Sequence, residues 1–174
     1  VQNDFVTGTL AVPGGAEVVA PLNRVADLFA ERGLPVLATR DWHPPDHCSF
    51  AAQGGPWPPH CVAGTPGAGW VPGLRLPPGT VDVRKATRPG ADAYSGFAGT
   101  TLAADLRARG VRRVIVGGLA TDYCVLNTVR DALAEGFEVV VLRDAIRAVD
   151  VAEGDGARAE EEMRALGARF ARAG

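Results

Sequence analysis

The sequence predicts an α/β fold of three layers, with helices on both faces of a mostly parallel central sheet. Two observations carry this. A helix-like stretch, a glycine and a short aliphatic run recur in that order along the chain. The aliphatic runs also lack the apolar–polar alternation of a sheet with one wet face, as expected of strands covered on both sides. A length of 174 residues suits one domain, 1–174, rather than two.

From Ala16 to Arg32, the residues Val18, Val19, Leu22, Val25, Ala26, Leu28 and Phe29 recur at roughly helical spacing, and Gly33 stops the helix. Leu34 to Thr39 then reads as a buried strand. Between Gly54 and Gly79, 7 prolines and 7 glycines fill 14 of 26 positions, which neither helix nor sheet absorbs, so a long loop is expected. Trp57, Trp70, His60 and Cys61 within it argue for an ordered, functional loop. A second helix, Thr101 to Arg109, stops at Gly110 and leads into the strand Val114-Ile115-Val116, closed by Gly117-Gly118. A third, from about Tyr123 to Glu135, stops at Gly136 before the strand Phe137 to Leu142. The last helix covers Ala152 to Leu166, and Gly167 precedes a short strand, Ala168 to Ala171. In parallel sheets of this kind, ligands bind beyond the carboxyl ends of the strands.

Apolar residues make up 47% of the chain and charged residues 22%, enough for a sizeable core and unlike a disordered chain. Eighteen basic against twenty acidic residues give a net charge of −2, so there is no basic field to hold a nucleic-acid backbone. No apolar run approaches the roughly 18–20 residues of a membrane span, and no signal-peptide pattern is visible. Three cysteines, Cys48, Cys61 and Cys124, form an odd and sparse set that reads as cytosolic thiols rather than a disulfide framework. The expectation is a cytoplasmic globular protein without nucleic-acid or membrane partners, and with a homo-oligomer left open. The run Glu160-Glu161-Glu162 is read as a solvated helix face. The chain opens directly at V-Q-N-D-F, which leads us to expect further residues upstream of Val1.

All three histidines, His43, His47 and His60, fall within 18 residues. In T-R-D-W-H-P-P-D-H, extension through the end of the Val36 strand puts Asp41 and His43 on one side. A Pro-Pro turn can return His47, and the Pro/Gly loop supplies His60. One carboxylate with three imidazoles suits a divalent transition metal such as zinc, iron or manganese. The alternative is that these imidazoles only tie down loop backbone. Cys48 and Cys61 are not distinguished from small buried hydrophobes.

In V-I-V-G-G-L-A-T-D-Y-C-V a strand ends at glycines and Cys124 sits near the start of a helix, where backbone N–H groups and the helix dipole stabilise a thiolate. The same N–H groups can serve as an oxyanion hole. On local sequence alone a buried, inert thiol is an equally good reading. A cysteine nucleophile wants a neighbouring cation, and Lys85 is the only lysine in the chain. Its retention among so many arginines suggests a need for a compact ammonium, against the default of a surface lysine.

Together these motifs resemble the nicotinamidase/pyrazinamidase family of isochorismatase-like cysteine hydrolases. The resemblance runs in order through V-Q-N-D-F, T-R-D-W-H-P-P-D-H-C-S-F, W-P-P-H-C-V-A-G-T-P-G-A, K-A with D-A-Y-S-G-F, and G-G-L-A-T-D-Y-C-V. It implies the isochorismatase-like hydrolase fold and the hydrolysis of nicotinamide, and of pyrazinamide, through a thioester. Cys124 is implied as nucleophile and Lys85 as the cation beside it, with the N–H groups of Ala120 and Cys124 as oxyanion hole after a cis Leu119-Ala120 peptide. Asp41, His43, His47 and His60 are implied as ligands of one divalent metal, zinc foremost, with no organic cofactor. Phe5, Trp57, Tyr94 and Ala120 are implied around the pyridine ring, although the aromatics also read as core. The family's catalytic aspartate falls immediately before Val1, outside the given chain, so the expectation is a first strand cut short. Asp4 matches a different position and is not taken as that base. A relative acting on another small amide, and a non-catalytic metal-binding protein, are the competing readings.

Overall fold

The computed structural model describes residues 1–174. Four helices and five strands follow in order, alternating except where β1 leads to β2: α1 (Val19–Glu31), β1 (Leu37–Asp41), β2 (Val81–Lys85), α2 (Leu102–Ala108), β3 (Arg113–Leu119), α3 (Leu126–Ala134), β4 (Glu138–Arg147), α4 (Asp155–Ala165) and β5 (Arg169–Ala171). Every strand pairing is parallel, as the helix–glycine–strand rhythm requires. The strands lie in two pieces, β1–β2 and β3–β4–β5, rather than in one continuous ladder. On the edge of β1 away from β2, the Gln2 side-chain amide takes up both backbone groups of Asp41, donating to its carbonyl and accepting from its N–H, each at 2.8 Å. None of the helices is long and apolar enough to cross a membrane.

Strand β2 was not anticipated. It is only five residues long, follows the Pro/Gly stretch, and carries Asp82 and Arg84 outward, so its apolar signal is two valines. Its burial nevertheless alternates, with Val83 and Lys85 inward, and in parallel register Lys85 faces Asp41. The third helix begins as a π-helical turn, Thr121–Val125, which carries Cys124.

The larger core gathers α2, α3 and α4 against the three-stranded piece through Leu106, Val129, Val139, Val141, Ile146 and Met163, among others. Gly117 lets α1 approach β3, since a Cβ there would come within 2.9 Å of Leu22. Met163 has no exposed surface, and truncating such a side chain loses its transfer free energy and leaves a cavity. Met163→Ala is therefore expected to lower unfolding stability by about 2–5 kcal/mol, measured by denaturant titration.

The long loop is ordered. Asn23 in α1 holds it by donating to the Gly73 carbonyl (2.8 Å) and accepting from the Arg75 N–H (2.7 Å). Closer to the strand ends, His43 and Val62 form an isolated parallel bridge, with the His43 N–H donating to the Cys61 carbonyl (3.0 Å) and the Ala63 N–H to the His43 carbonyl (2.8 Å). The loop thus continues β1's pairing past its end, and this delivers His60 to His43.

Candidate active site

The carboxyl ends of β1, β2 and β3 meet at one buried polar cluster. Asp41 closes β1, Lys85 closes β2, and Cys124 follows β3 on the π-helical turn. Lys85 is 4% exposed. Its ammonium forms an ion pair with Asp41, donates to the Ala93 carbonyl at 2.9 Å, and stands 3.5 Å from the Cys124 sulfur. Burial alone would strip its proton, but Asp41 and Cys124 outweigh burial and hold the amine above its ordinary range. Burial would likewise raise the Asp41 carboxyl, yet Lys85 and then His43 bring it below the usual value. The pair is charged.

Cys124 departs from expectation. Burial pushes its thiol up, and Asp41 adds to this; Lys85 and the Ala120 N–H oppose the rise without cancelling it. The acidic thiol expected of a helix start is absent, because the sulfur lies inside the cleft where desolvation exceeds the help of the turn. So placed, the sulfur favours its protonated form. The Leu119–Ala120 peptide is cis, and the Ala120 N–H faces the sulfur. The Val1 nitrogen is buried within electrostatic reach of Cys61, Asp41, Cys124 and Lys85.

Beside this group, ligand atoms of Asp41, His43 and His60 all lie within 4.8 Å of one another. His43 Nε2 is 3.8 Å from Asp41 Oδ2, too far for a hydrogen bond, and His43 Nδ1 is a buried polar atom with no partner. Burial lowers the His43 pKa to about 4, so the ring is neutral near pH 7, the state a ligand needs. His60 pairs Nδ1 with the Pro58 carbonyl at 2.8 Å, the anchoring that fixes a ligating imidazole with its other nitrogen free. Phe50, without exposed surface, packs edge-on against the rings of His43, His47 and His60 at 5.5–5.8 Å. This donor set fits a divalent transition metal.

His47 is not part of the three-residue set. Its ring lies 4.2 Å from that of His43, but Nδ1 is paired with Ser49 Oγ at 2.7 Å and Nε2 with the Ala91 carbonyl at 3.3 Å. In this arrangement both of its ring nitrogens have hydrogen-bond partners, whereas His43 Nδ1 has none. Cys61 is buried and its thiol is pushed up by burial, as for an inert side chain.

Cys124, Lys85 and the Asp41–His43–His60 set all line one cleft. Phe5, Trp57, Tyr94 and Ala120 line it, as does Tyr123, which sequence reasoning missed. Trp57 donates to the Tyr94 hydroxyl at 3.0 Å and meets the Tyr123 ring edge-on at 5.0 Å. These rings form a wall for a flat ligand. The cleft therefore brings together a thiol, an ammonium, a cluster of donor atoms that could hold a metal and an aromatic wall.

The Isochorismatase domain model matches residues 1–173. A nicotinamidase of Escherichia coli (strain K12) is 40% identical over 190 residues, covering 97% of this chain and 89% of that protein. The crystal structure of the pyrazinamidase of Pyrococcus horikoshii in complex with zinc superposes with a TM-score of 0.94 at 48% identity, covering 98% of this chain and 94% of that one. PnC1 of L. infantum in complex with nicotinate superposes with a TM-score of 0.88 at 37% identity, covering 98% and 88%.

Proposed function

The chain belongs to the isochorismatase domain family, and on that premise we propose that it is a metal-dependent cysteine amidohydrolase converting nicotinamide to nicotinate and ammonia. The observation that carries the reading is the shared cleft, lined at once by Cys124, Lys85 and the Asp41–His43–His60 set. Asp41, His43 and His60 would hold the metal. Zinc is the proposed ion, supported by a donor set of two imidazoles with a carboxylate and by the zinc complex of the Pyrococcus relative. When bound, the metal supplies a Lewis-acid anchor that fixes the orientation of a ring nitrogen donor.

The chain's own residues do the rest. Phe5, Trp57, Tyr94 and Tyr123 enclose the ring and aim its carboxamide at Cys124, positioning that replaces a bimolecular encounter. As the sulfur attacks the carboxamide carbon, its proton passes to the aspartate that the family resemblance implies immediately before Val1. Lys85, 3.5 Å away, stabilises the emerging thiolate. The carbonyl oxygen becomes an oxyanion facing the Ala120 and Cys124 N–H groups, where one donor is worth roughly 3–4 kcal/mol. The carboxylic acid returns the proton to nitrogen, the C–N bond breaks and ammonia leaves. Water then attacks the thioester, its proton returns to sulfur, and nicotinate departs.

The test is a substrate panel assayed for ammonia, using the polypeptide with an aspartate joined ahead of Val1 and loaded with zinc. Release from nicotinamide and pyrazinamide, with ureido compounds inert, is the expected result. Release from ureido compounds alone would assign the site to another small amide, and inertness throughout would favour a non-catalytic metal-binding protein. The ligand set has its own check by elemental analysis. His60→Ala is expected to bring bound zinc well below one ion per chain, whereas His47→Ala retains it. Loss in His47→Ala would make that ring a fourth ligand.

A further inference from the structure

Asp4 belongs to none of the groups discussed so far, yet its carboxylate sits in a slot built for it. A Cβ on Gly8 or on Gly67 would collide with the carboxylate oxygens, so both flanking positions must lack a side chain. Inside the slot, Asp4 Oδ2 accepts the Cys61 N–H at 2.7 Å, and Oδ1 accepts the Thr9 N–H at 3.4 Å. Cys61 adopts φ 47, a left-handed conformation that costs a side-chain-bearing residue energy and is kept only where surroundings enforce it. On the other side of His60, the Thr9 hydroxyl donates to the Pro59 carbonyl at 2.8 Å. His60 is therefore gripped through both of its chain neighbours by one short segment, residues 4–9. The adjacent Phe5 packs its ring 5.7 Å from His60.

Loops rich in proline and glycine do not hold a side chain in place unaided. The parallel bridge aligns the stretch after His60 with His43, but it leaves the torsion at Cys61 to be set by something else. A charged acceptor on the Cys61 N–H supplies a hydrogen bond about twice as strong as a neutral one. That bond fixes the residue whose conformation decides where His60 points.

We propose that Asp4 is the positioning residue of the metal site, seating His60 as a ligand through the Cys61 N–H, with Thr9 bracing the opposite side. This rests on the metal cradle of the preceding reading but not on the identity of the substrate. Outer partners of metal ligands typically contribute about 10–100-fold in affinity, and Asp4 acts through the residue next to the ligand.

The experiment is zinc competition against a chromophoric chelator, with circular dichroism of the zinc-free protein recorded alongside. Asp4→Ala is expected to weaken zinc affinity by about 10–100-fold with an unchanged spectrum. Asp4→Asn, which keeps an acceptor for the Cys61 N–H, recovers most of the affinity; a purely structural role would not separate these two variants. Thr9→Val keeps the shape of the side chain and covers the case in which Asp4→Ala fails to fold, with a smaller loss of affinity expected. Unchanged zinc affinity in folded Asp4→Ala, or in Thr9→Val where Asp4→Ala does not fold, overturns the proposal, as does a parent chain that binds no zinc. If nicotinamide is not hydrolysed but Asp4→Ala still loses zinc, the substrate assignment fails and the role of Asp4 stands.

Discussion

Cys124→Ala is expected to reduce ammonia release from nicotinamide by about 10⁴-fold or more while leaving zinc content unchanged. The size follows from the chemistry. Without sulfur no thioester forms, and the metal cradle and oxyanion donors then act on a substrate that nothing attacks. The separation of the two readouts follows from geometry, because the sulfur adjoins Lys85 and lies outside the set formed by Asp41, His43 and His60. With burial raising the thiol, the proposed mechanism has the thiolate form during the reaction rather than exist beforehand. Stoichiometric alkylation of the resting enzyme at neutral pH should accordingly be slow and should accelerate as pH rises. Full turnover in the alanine variant would remove Cys124 from the mechanism.

Lys85→Ala carries the second large effect, on activity and stability together. The ammonium is buried and serves three partners: the Asp41 carboxylate, the Ala93 carbonyl and the Cys124 sulfur. Removing one member of a buried ion pair leaves the other charge uncompensated, at a cost of about 3–5 kcal/mol. Asp41 would respond by retaining a proton, since burial pushes it that way once Lys85 is gone. A protonated carboxyl is a poor ligand, so zinc affinity should fall with stability. The folded-state pKa of Asp41 is lowered by Lys85, so the pair's contribution is present above the ordinary carboxylate range and lost as pH falls through the depressed value. In the alanine variant that acid-side loss of stability should be muted, which denaturant titrations at a series of pH values would show. Lys85→Arg is not expected to rescue activity, because a planar fork cannot occupy the space of a compact ammonium between three acceptors. A stable, active Lys85→Ala protein would refute the role given to this residue.

The alternation of helix, glycine and strand was readable because each glycine ends a helix at the point where an aliphatic run begins. Strand β2 escaped because outward Asp82 and Arg84 dilute a five-residue segment, although a lysine in step with buried Val83 was the available clue. Asp41 and His43 were legible from the period of an extended chain. His60 was not fixed by any local pattern, since its approach depends on a bridge between Val62 and His43 that no spacing encodes. Tyr123 looked like the first residue of a helix, and only the π-helical turn turns its ring into the cleft. His47 looked equivalent to its neighbours in sequence, but hydrogen bonding to Ser49 and Ala91 sets it apart. The expected acidity of Cys124 took account of the helix start but not of the cleft around a half-buried residue, where desolvation raises the thiol.

Rapid acid quench of the zinc-loaded, aspartate-preceded enzyme during turnover of nicotinamide, followed by peptide mass analysis, bears most directly on whether sulfur and metal serve one substrate. The account predicts a nicotinoyl group on the peptide containing Cys124, diminished when the protein is first stripped of metal by a chelator and restored when zinc is returned. Sustained ammonia release with Cys124 never acylated, or acylation indifferent to the metal, would contradict it.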